Sequence, residues 1–241
     1  RTGPRLPMRF IACGASVIGP RHLDLGEPNQ DAMVLVGCRG GWITAVADGL
    51  GSRARSDLGA RSACQVTRRI LRATSSSFDL PATLPLIHQK WLEAIDPTTP
   101  QDAATTLLFG RVTDQGEVHA AQLGDGLLLV KCAGEFRRIT PERTAYGNQT
   151  WALESTHLQD KWSYTKGRFT EPGDGVVLMT DGVADDLEPA HLADFFDALY
   201  QDLSARNRRR GRRWLQSELN DWATPLHSDD KTLVAIFRTS E

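Results

Sequence analysis

Apolar positions fall in short runs broken by Gly, Pro, Asn and Asp, and twice the spacing changes to a helical period near 3.6. Residues at about 8–18, 32–38 and 42–47 read as three strands. Ala63, Val66, Ile70 and Thr74 then share one helical face, and Leu84, Ile87, Trp91 and Ile95 share a second. Pro81 and Pro85 punctuate the start of that second helix, and Asp96-Pro97 ends it. Strands are expected again at about 104–112, 117–123, 127–132, 135–138 and 175–180, with an irregular stretch from Thr140 to Gly167. A second helix pair follows. Leu192, Phe195, Phe196, Leu199, Tyr200 and Leu203 form a stripe behind Glu188-Pro189, a suitable N-cap and first helical position. Leu215, Leu219 and Trp222 form the other stripe, and the last strand is expected at 232–237. Many strands with two helix pairs and no βαβ alternation point to α+β layers in one domain over 8–238, with 1–7 as a tail or expression remnant.

Composition narrows the chemistry only a little. With 241 residues, 40% hydrophobic and 24% charged, the chain can bury a real core. A formal net charge of −2 gives the whole molecule no reason to seek nucleic acid or an anionic membrane. No apolar run approaches the roughly 20 residues of a membrane helix. Cys13, Cys38, Cys64 and Cys132 are far apart among apolar neighbours, which suits buried thiols in the cytoplasm. Arg206, Arg208, Arg209, Arg210, Arg212 and Arg213 make one basic run between the last two helical stripes. Its plainer reading is a solvated connection beside a helix C-terminus; its sharper one is a docking patch for an acidic partner or phosphoprotein.

The acids change the picture more. Three apolar runs end in Asp-Gly, at Asp48-Gly49, Asp125-Gly126 and Asp181-Gly182. Asp31 opens the run AMVLVGC, and Asp229-Asp230 precedes LVAIF. Carboxylates repeated at buried strand ends are costly to hold together unless a cation sits among them, which suggests a hard divalent-metal centre. Each motif has a plainer reading. Asp-Gly is the commonest two-residue hairpin turn, and Asp125-Gly126, flanked by AAQL and LLLV, fits a hairpin best. Asp229-Asp230 fits an Asx-type turn.

The order of motifs resembles the metal-dependent serine/threonine protein phosphatases of type 2C, in their bacterial branch. The motifs are Asn29-Gln30-Asp31, Asp48-Gly49-Leu50-Gly51, Ala104-Thr105-Thr106, Gly124-Asp125-Gly126, Thr180-Asp181-Gly182 and Asp229-Asp230-Lys231-Thr232. His22, Gly26, Pro28 and the Gly147-Asn148-Gln149-Thr150 stretch look bacterial. The resemblance implies a four-layer α/β/β/α sandwich: two antiparallel sheets flanked by two antiparallel helix pairs, with the acids at one edge. It implies hydrolysis of phosphoserine or phosphothreonine by water held between two Mn²⁺ or Mg²⁺ ions. By position, Asp48 would bridge the ions, the Gly49 carbonyl would hold one, and Asp181 and Asp229 the other. Asp31 would act through metal-held water. Asp125, with Asp181, matches the residue holding a third, weaker ion in bacterial members. The implied partners are a phosphorylated protein substrate and a cognate Ser/Thr kinase, and a monomer is expected.

Three positions depart from the family pattern. The phosphate-gripping Arg is replaced by Gly26, leaving His22 or Arg21 as candidate phosphate donors. Gln30 stands where a Glu is usual, and Leu50 where eukaryotic members carry a His, as in other bacterial members. A catalytically silent domain of the same fold, binding a phosphoprotein or kinase, is the alternative. A metal-dependent nuclease is a weaker one, disfavoured by the charge balance.

Overall fold

The computed structural model describes residues 8–74, 78–142, 150–222 and 228–240. The tail 1–7 and the Gly147-Asn148-Gln149 stretch lie outside them. Among the described residues, ten strands form two five-stranded antiparallel sheets. The first contains β1 (Phe10–Val17), β6 (Leu127–Cys132), β7 (Glu135–Arg138), β9 (Gly175–Met179) and β10 (Lys231–Arg238), in the order β1-β10-β9-β6-β7. The second contains β2 (Asp31–Cys38), β3 (Gly41–Asp48), β4 (Leu107–Thr113), β5 (Glu117–Leu123) and β8 (Ser163–Arg168), in the order β2-β3-β4-β5-β8.

The near-continuous apolar runs have a simple cause: the central strands are buried on both faces. Val176, Leu178, Val234 and Ile236 meet Val46, Leu108 and Val112 between the sheets. The alternate residues Val177, Met179, Leu233, Ala235 and Phe237 face outward onto α5 (Leu192–Ser204) and α6 (Arg208–Asn220). On the other side Ile43, Ala45, Ala47 and Phe109 pack against α2 (Ser56–Ala73) and α3 (Leu80–Ile95). The result is the expected α/β/β/α sandwich. Two short helices, α1 (Pro20–Leu25) and α4 (Asp181–Ala184), cap one edge. None of the described helices is long and apolar enough to cross a membrane.

Four expectations are corrected. The strand expected from 104 begins only at Leu107, because Ala104 to Thr106 turn their polar groups towards the end of β3. The irregular stretch contains β8, an edge strand whose one buried side chain, Thr165, leaves no apolar alternation to see. Asp125-Gly126 is no hairpin, since β5 pairs with β4 and β8 while β6 pairs with β7 and β9 in the other sheet. The basic run is not a connection: Arg208 to Arg213 form the first turns of α6, capped by Asn207, whose side chain accepts from the Arg210 N–H at 3.0 Å. Arginine is a good helix former, so propensity and cap outweigh the mutual repulsion of the charges.

The tryptophans Trp151 and Trp162, in the stretch left irregular by the sequence, belong to the core. Trp162 is buried with its ring edge-on to Phe109, and Trp151 packs beside the same core under the Lys161 ammonium. Trp91 is fully buried between the helix pair and the sheet, and its Nε1 donates to the Gly59 carbonyl at 3.1 Å. Trp91→Ala therefore leaves both a large cavity and an unpaired acceptor. The expected loss is about 3–5 kcal/mol of unfolding free energy, read from urea denaturation.

Candidate metal centre

Strand polarity brings the acids together. Register pairs Asp31 with Asp48, Leu107 with Leu123, Leu127 with Met179, and Val17 with Lys231. The C-terminal ends of β1, β3, β5 and β9 thus meet the N-terminal ends of β2, β4, β6 and β10 at one edge of the sandwich. Asp48, Asp125 and Asp181 each present an oxygen there, all within 4.8 Å of one another.

Hydroxyl and backbone groups position the segments that carry the acids. The Asp48 N–H donates to Thr106 Oγ1 at 3.0 Å, while Thr105 Oγ1 and the Thr106 N–H donate to the Asp48 carbonyl at 2.9 and 2.8 Å. Gly49 is required next: a Cβ there would lie 2.5 Å from the Ser56 carbonyl oxygen. The Gly124-Asp125-Gly126 crossover is pinned by Gln122, whose Nε2 donates to the Gly124 and Gly126 carbonyls at 3.1 and 2.6 Å. Thr140 Oγ1 in turn lies 2.5 Å from Gln122 Oε1. Gly124 has φ 109°, and a Cβ would approach Thr106 Cβ to 2.6 Å, so the crossover needs glycine twice over. Asp125 Oδ2 accepts from Thr150 Oγ1 at 2.6 Å.

Asp31 is buried, and its Oδ2 lies 2.8 Å from Thr180 Oγ1 and 2.7 Å from Thr232 Oγ1. The chain continues outward: Ser16 Oγ lies 2.7 Å from Thr232 Oγ1, and Asn29 Nδ2 donates to Ser16 at 3.0 Å. A hydroxyl has one proton, so satisfying all four groups requires Asn29 to donate to Ser16, Ser16 to Thr232 and Thr232 to Asp31.

Asp229 is exposed and falls in a neighbouring group with His22 and Asp230, again within 4.8 Å. The buried Asp230 is the organiser there. Its carboxylate accepts from the Gly19 N–H at 2.7 Å and the Gln30 N–H at 2.6 Å, and His22 Nδ1 lies 2.9 Å away, off the ideal hydrogen-bond direction. His22 is therefore buried and turned towards Asp230, with Glu27 3.8 Å from its other nitrogen, while Arg21 on the same short helix is exposed. Gly26, at the family's Arg position, closes α1 in the left-handed conformation at φ 66°. Gln30 is buried and accepts from Ser56 Oγ at 3.1 Å, a strut between β2 and α2. The Asp230 hub and the Gln122–Thr140 plug escape sequence inspection, because nothing in their local sequence marks them as partners.

Burial, and then the crowding of like charge, push the Asp48 carboxyl well above the usual carboxylate range, with Asp31, Asp181 and Asp229 as neighbours. Burial likewise raises Asp31 against the lowering by its two threonine donors. Burial, with Asp125, Asp229 and Asp185 nearby, raises Asp181 to about 6. The side chains of Asp48 and Asp181 lie within hydrogen-bonding reach, yet Asp181 Oδ1 is buried with no partner. An all-oxygen donor set with an unmatched buried carboxylate oxygen fits hard divalent cations such as Mn²⁺ or Mg²⁺.

The comparisons agree with this geometry. The protein phosphatase 2C family profile matches residues 18–222. The chain belongs to the protein phosphatase 2C family. The fold is shared with PstP, the serine/threonine phosphatase of Mycobacterium tuberculosis, at 17% identity, with 96% of this chain and 99% of that one covered and a TM-score of 0.66. Stp1 from Staphylococcus aureus matches at 14% identity, covering 100% and 99%, with a TM-score of 0.67. RsbX, solved with magnesium, matches at 13% identity, covering 95% and 96%, with a TM-score of 0.62. The PstP catalytic domain has also been solved with two manganese ions. No curated protein matches the chain in sequence. The fold that carries the acid-lined edge is thus that of the metal-dependent phosphatases of the 2C family.

Two measurements test this architecture. A carboxyl raised by folding contributes stability that is full below its unfolded-state pKa, about 4, and lost as pH rises through the folded value. With Asp181 raised to about 6, chelated protein should lose about 3 kcal/mol between pH 4 and 7 from this group. Urea titrations should show Asp181→Asn flattening that fall and Mn²⁺ reversing it in the wild type; an unchanged profile in the variant refutes the assignment. Asp230→Ala strands two buried N–H donors, and should cost about 2–5 kcal/mol in the same assay.

Proposed function

We propose that the protein is a cytoplasmic, monomeric phosphoprotein phosphatase acting on phosphoserine and phosphothreonine, formed as a single domain over 8–238. The observation that carries this reading is the convergence of Asp48, Asp125 and Asp181 on one another at the edge where Asp31 and Asp229 also stand. Asp48 and the Gly49 carbonyl, with Asp181 and Asp229, are the groups that would hold two Mn²⁺ or Mg²⁺ ions, and Asp125 with Asp181 a third. When bound, such ions supply an activated water and neutralise charge on both oxygens of an in-line displacement.

The chain's own groups do the rest. Thr105 and Thr106 fix the backbone of Asp48, so that its carboxylate is presented without reorganisation. Asp31, with Oδ2 committed to Thr180 and Thr232, orients water at the edge. Asp230 and His22 tie the residues around Asp229 to those before Asp31. With His22 occupied in this way, the exposed Arg21 is the better of the two candidate donors to phosphoryl oxygens. Arg53 and Arg55, exposed in the segment leaving Gly49, are further cations of the same loop. Substitution by Gly26 and Gln30 does not favour a silent domain, because both residues have structural tasks and the convergence of Asp48, Asp125 and Asp181 supports an active one. The substrate is a phosphorylated protein, and a Ser/Thr kinase is the natural counterpart that supplies it.

Hydrolysis of p-nitrophenyl phosphate with Mn²⁺ tests the reading. Turnover should vanish with chelator, and fall by at least about 100-fold in Asp48→Asn. Phosphoserine and phosphothreonine peptides should be cleaved in preference to phosphotyrosine ones. Metal-independent turnover refutes the mechanism, and bound Mn²⁺ without turnover would establish the silent domain instead.

A further inference from the structure

The arginines of α6 are the largest unexplained charge on the molecule. Arg208, Arg209, Arg210, Arg212 and Arg213 are all exposed within two turns, and Asn207, Arg208, Arg209, Arg210 and Arg213 line one shallow open concavity. No acid occupies the first turn of this helix. The nearby carboxylates of α5 are already engaged, Asp202 by Arg206 and Asp197 by Lys131. Among the described residues, Arg209, Arg210, Arg212 and Arg213 have no ion-pair partner. Cations at positions 209, 212 and 213, and at 210 and 213, stand three or four apart on the helix and repel. They also sit at the positive end of the helix dipole, so both effects disfavour this arrangement and both are relieved by an external anion.

The patch is also prepared on its flanks. The Arg206 guanidinium lies 4.6 Å from the Trp214 ring centroid, and that of Arg208 lies 5.4 Å from the Trp42 ring of the opposite sheet. These contacts hold two of the cations in place, while the outward ones remain free to bind. Trp42 stands near the start of β3 and Asp48 at its end; Arg208 lines a pocket with Phe10 and Ile11, at the start of β1, whose far end carries Ser16. Six residues of strand separate the two ends, about 20 Å. The patch therefore lies at the opposite edge of the sandwich from the acids and belongs to a different contact.

We infer that this face of α6 is a docking surface for an acidic segment of a protein substrate. The inference rests on the phosphatase reading above. Its extent, about 9 Å of helix axis, suits a short run of Asp, Glu or phosphorylated side chains engaging guanidinium forks. It is too short for a backbone track along nucleic acid, and the remaining surface charge of a chain with net −2 opposes one. A substrate bound here and at the acid-lined edge at once needs an acidic block at least about six or seven extended residues from the phosphorylated one.

The test uses a fluorescein-labelled octaglutamate peptide, wild-type protein, and the variants R209E/R210E/R213E and R209Q/R210Q/R213Q. Anisotropy should show wild-type binding that weakens as NaCl is raised, and weakens by at least about tenfold in both variants. Hydrolysis of p-nitrophenyl phosphate should be unchanged in the variants, whereas a phosphopeptide with a distant acidic block should lose its KM advantage over one without it. Equal peptide binding by wild type and variants, or no binding, overturns the proposal. So does tighter arginine-dependent retention of an 18-base-pair duplex or of phosphatidylserine vesicles than of the peptide. Absence of p-nitrophenyl phosphate turnover alongside arginine-dependent peptide binding would refute the phosphatase reading and leave the docking surface standing.

Discussion

Everything at the functional edge depends on keeping several carboxylates close together in a buried place. Coulomb repulsion and desolvation both oppose this, and both act on Asp48, Asp31 and Asp181. Among the described residues none of the three forms an ion pair, and the buried Lys231 ammonium at the same edge donates to the Asp229 carbonyl. Threonines fix position instead: Thr180 and Thr232 lie against the Asp31 carboxylate, Thr150 donates to Asp125, and Thr105 and Thr106 hold the backbone of Asp48. The charge that remains is what a divalent ion would meet, and the stability forgone is a familiar property of functional sites.

Rigidity comes from the layers behind that edge. Double-sided burial of β3, β9 and β10 leaves their ends little freedom, so acids at those ends inherit the precision of the core. The crossover carrying Asp125 has no ladder of its own, and the buried Gln122–Thr140 pair supplies the missing constraint. Around Asp229 the buried Asp230 carboxylate gathers Gly19, Gln30 and His22, which links three separate segments. The family's usual Glu and Arg are absent near this hub, and Gln30 and Gly26 there serve packing and helix termination.

Charge is distributed with a clear polarity. Acids collect at one edge of the sandwich, and the exposed arginines of α6 collect at the other. A net charge close to zero conceals this separation. Local fields, rather than the total, govern which ligands each face attracts.

Much was legible in the chain itself. Strand and helix periods followed from burial on one or two faces, so most elements lay where apolar spacing put them, and motif order carried the family. What escaped had weak local signals. The edge strand β8 buries only Thr165, so it lacked alternation. The arginine run looked like a solvated connection because charge density masked a capped helix. Asp125-Gly126 looked like a hairpin because a turn and a crossover between sheets share the same local sequence; only strand pairing tells them apart. His22 offered a cation to a phosphate in sequence, whereas in the fold its ring is directed at Asp230, more than 200 residues away. Local periodicity and turn chemistry are short-range properties, and the sequence by itself determined them. Which ends meet, and which side chain satisfies which, was decided by long-range packing that only the tertiary structure expresses.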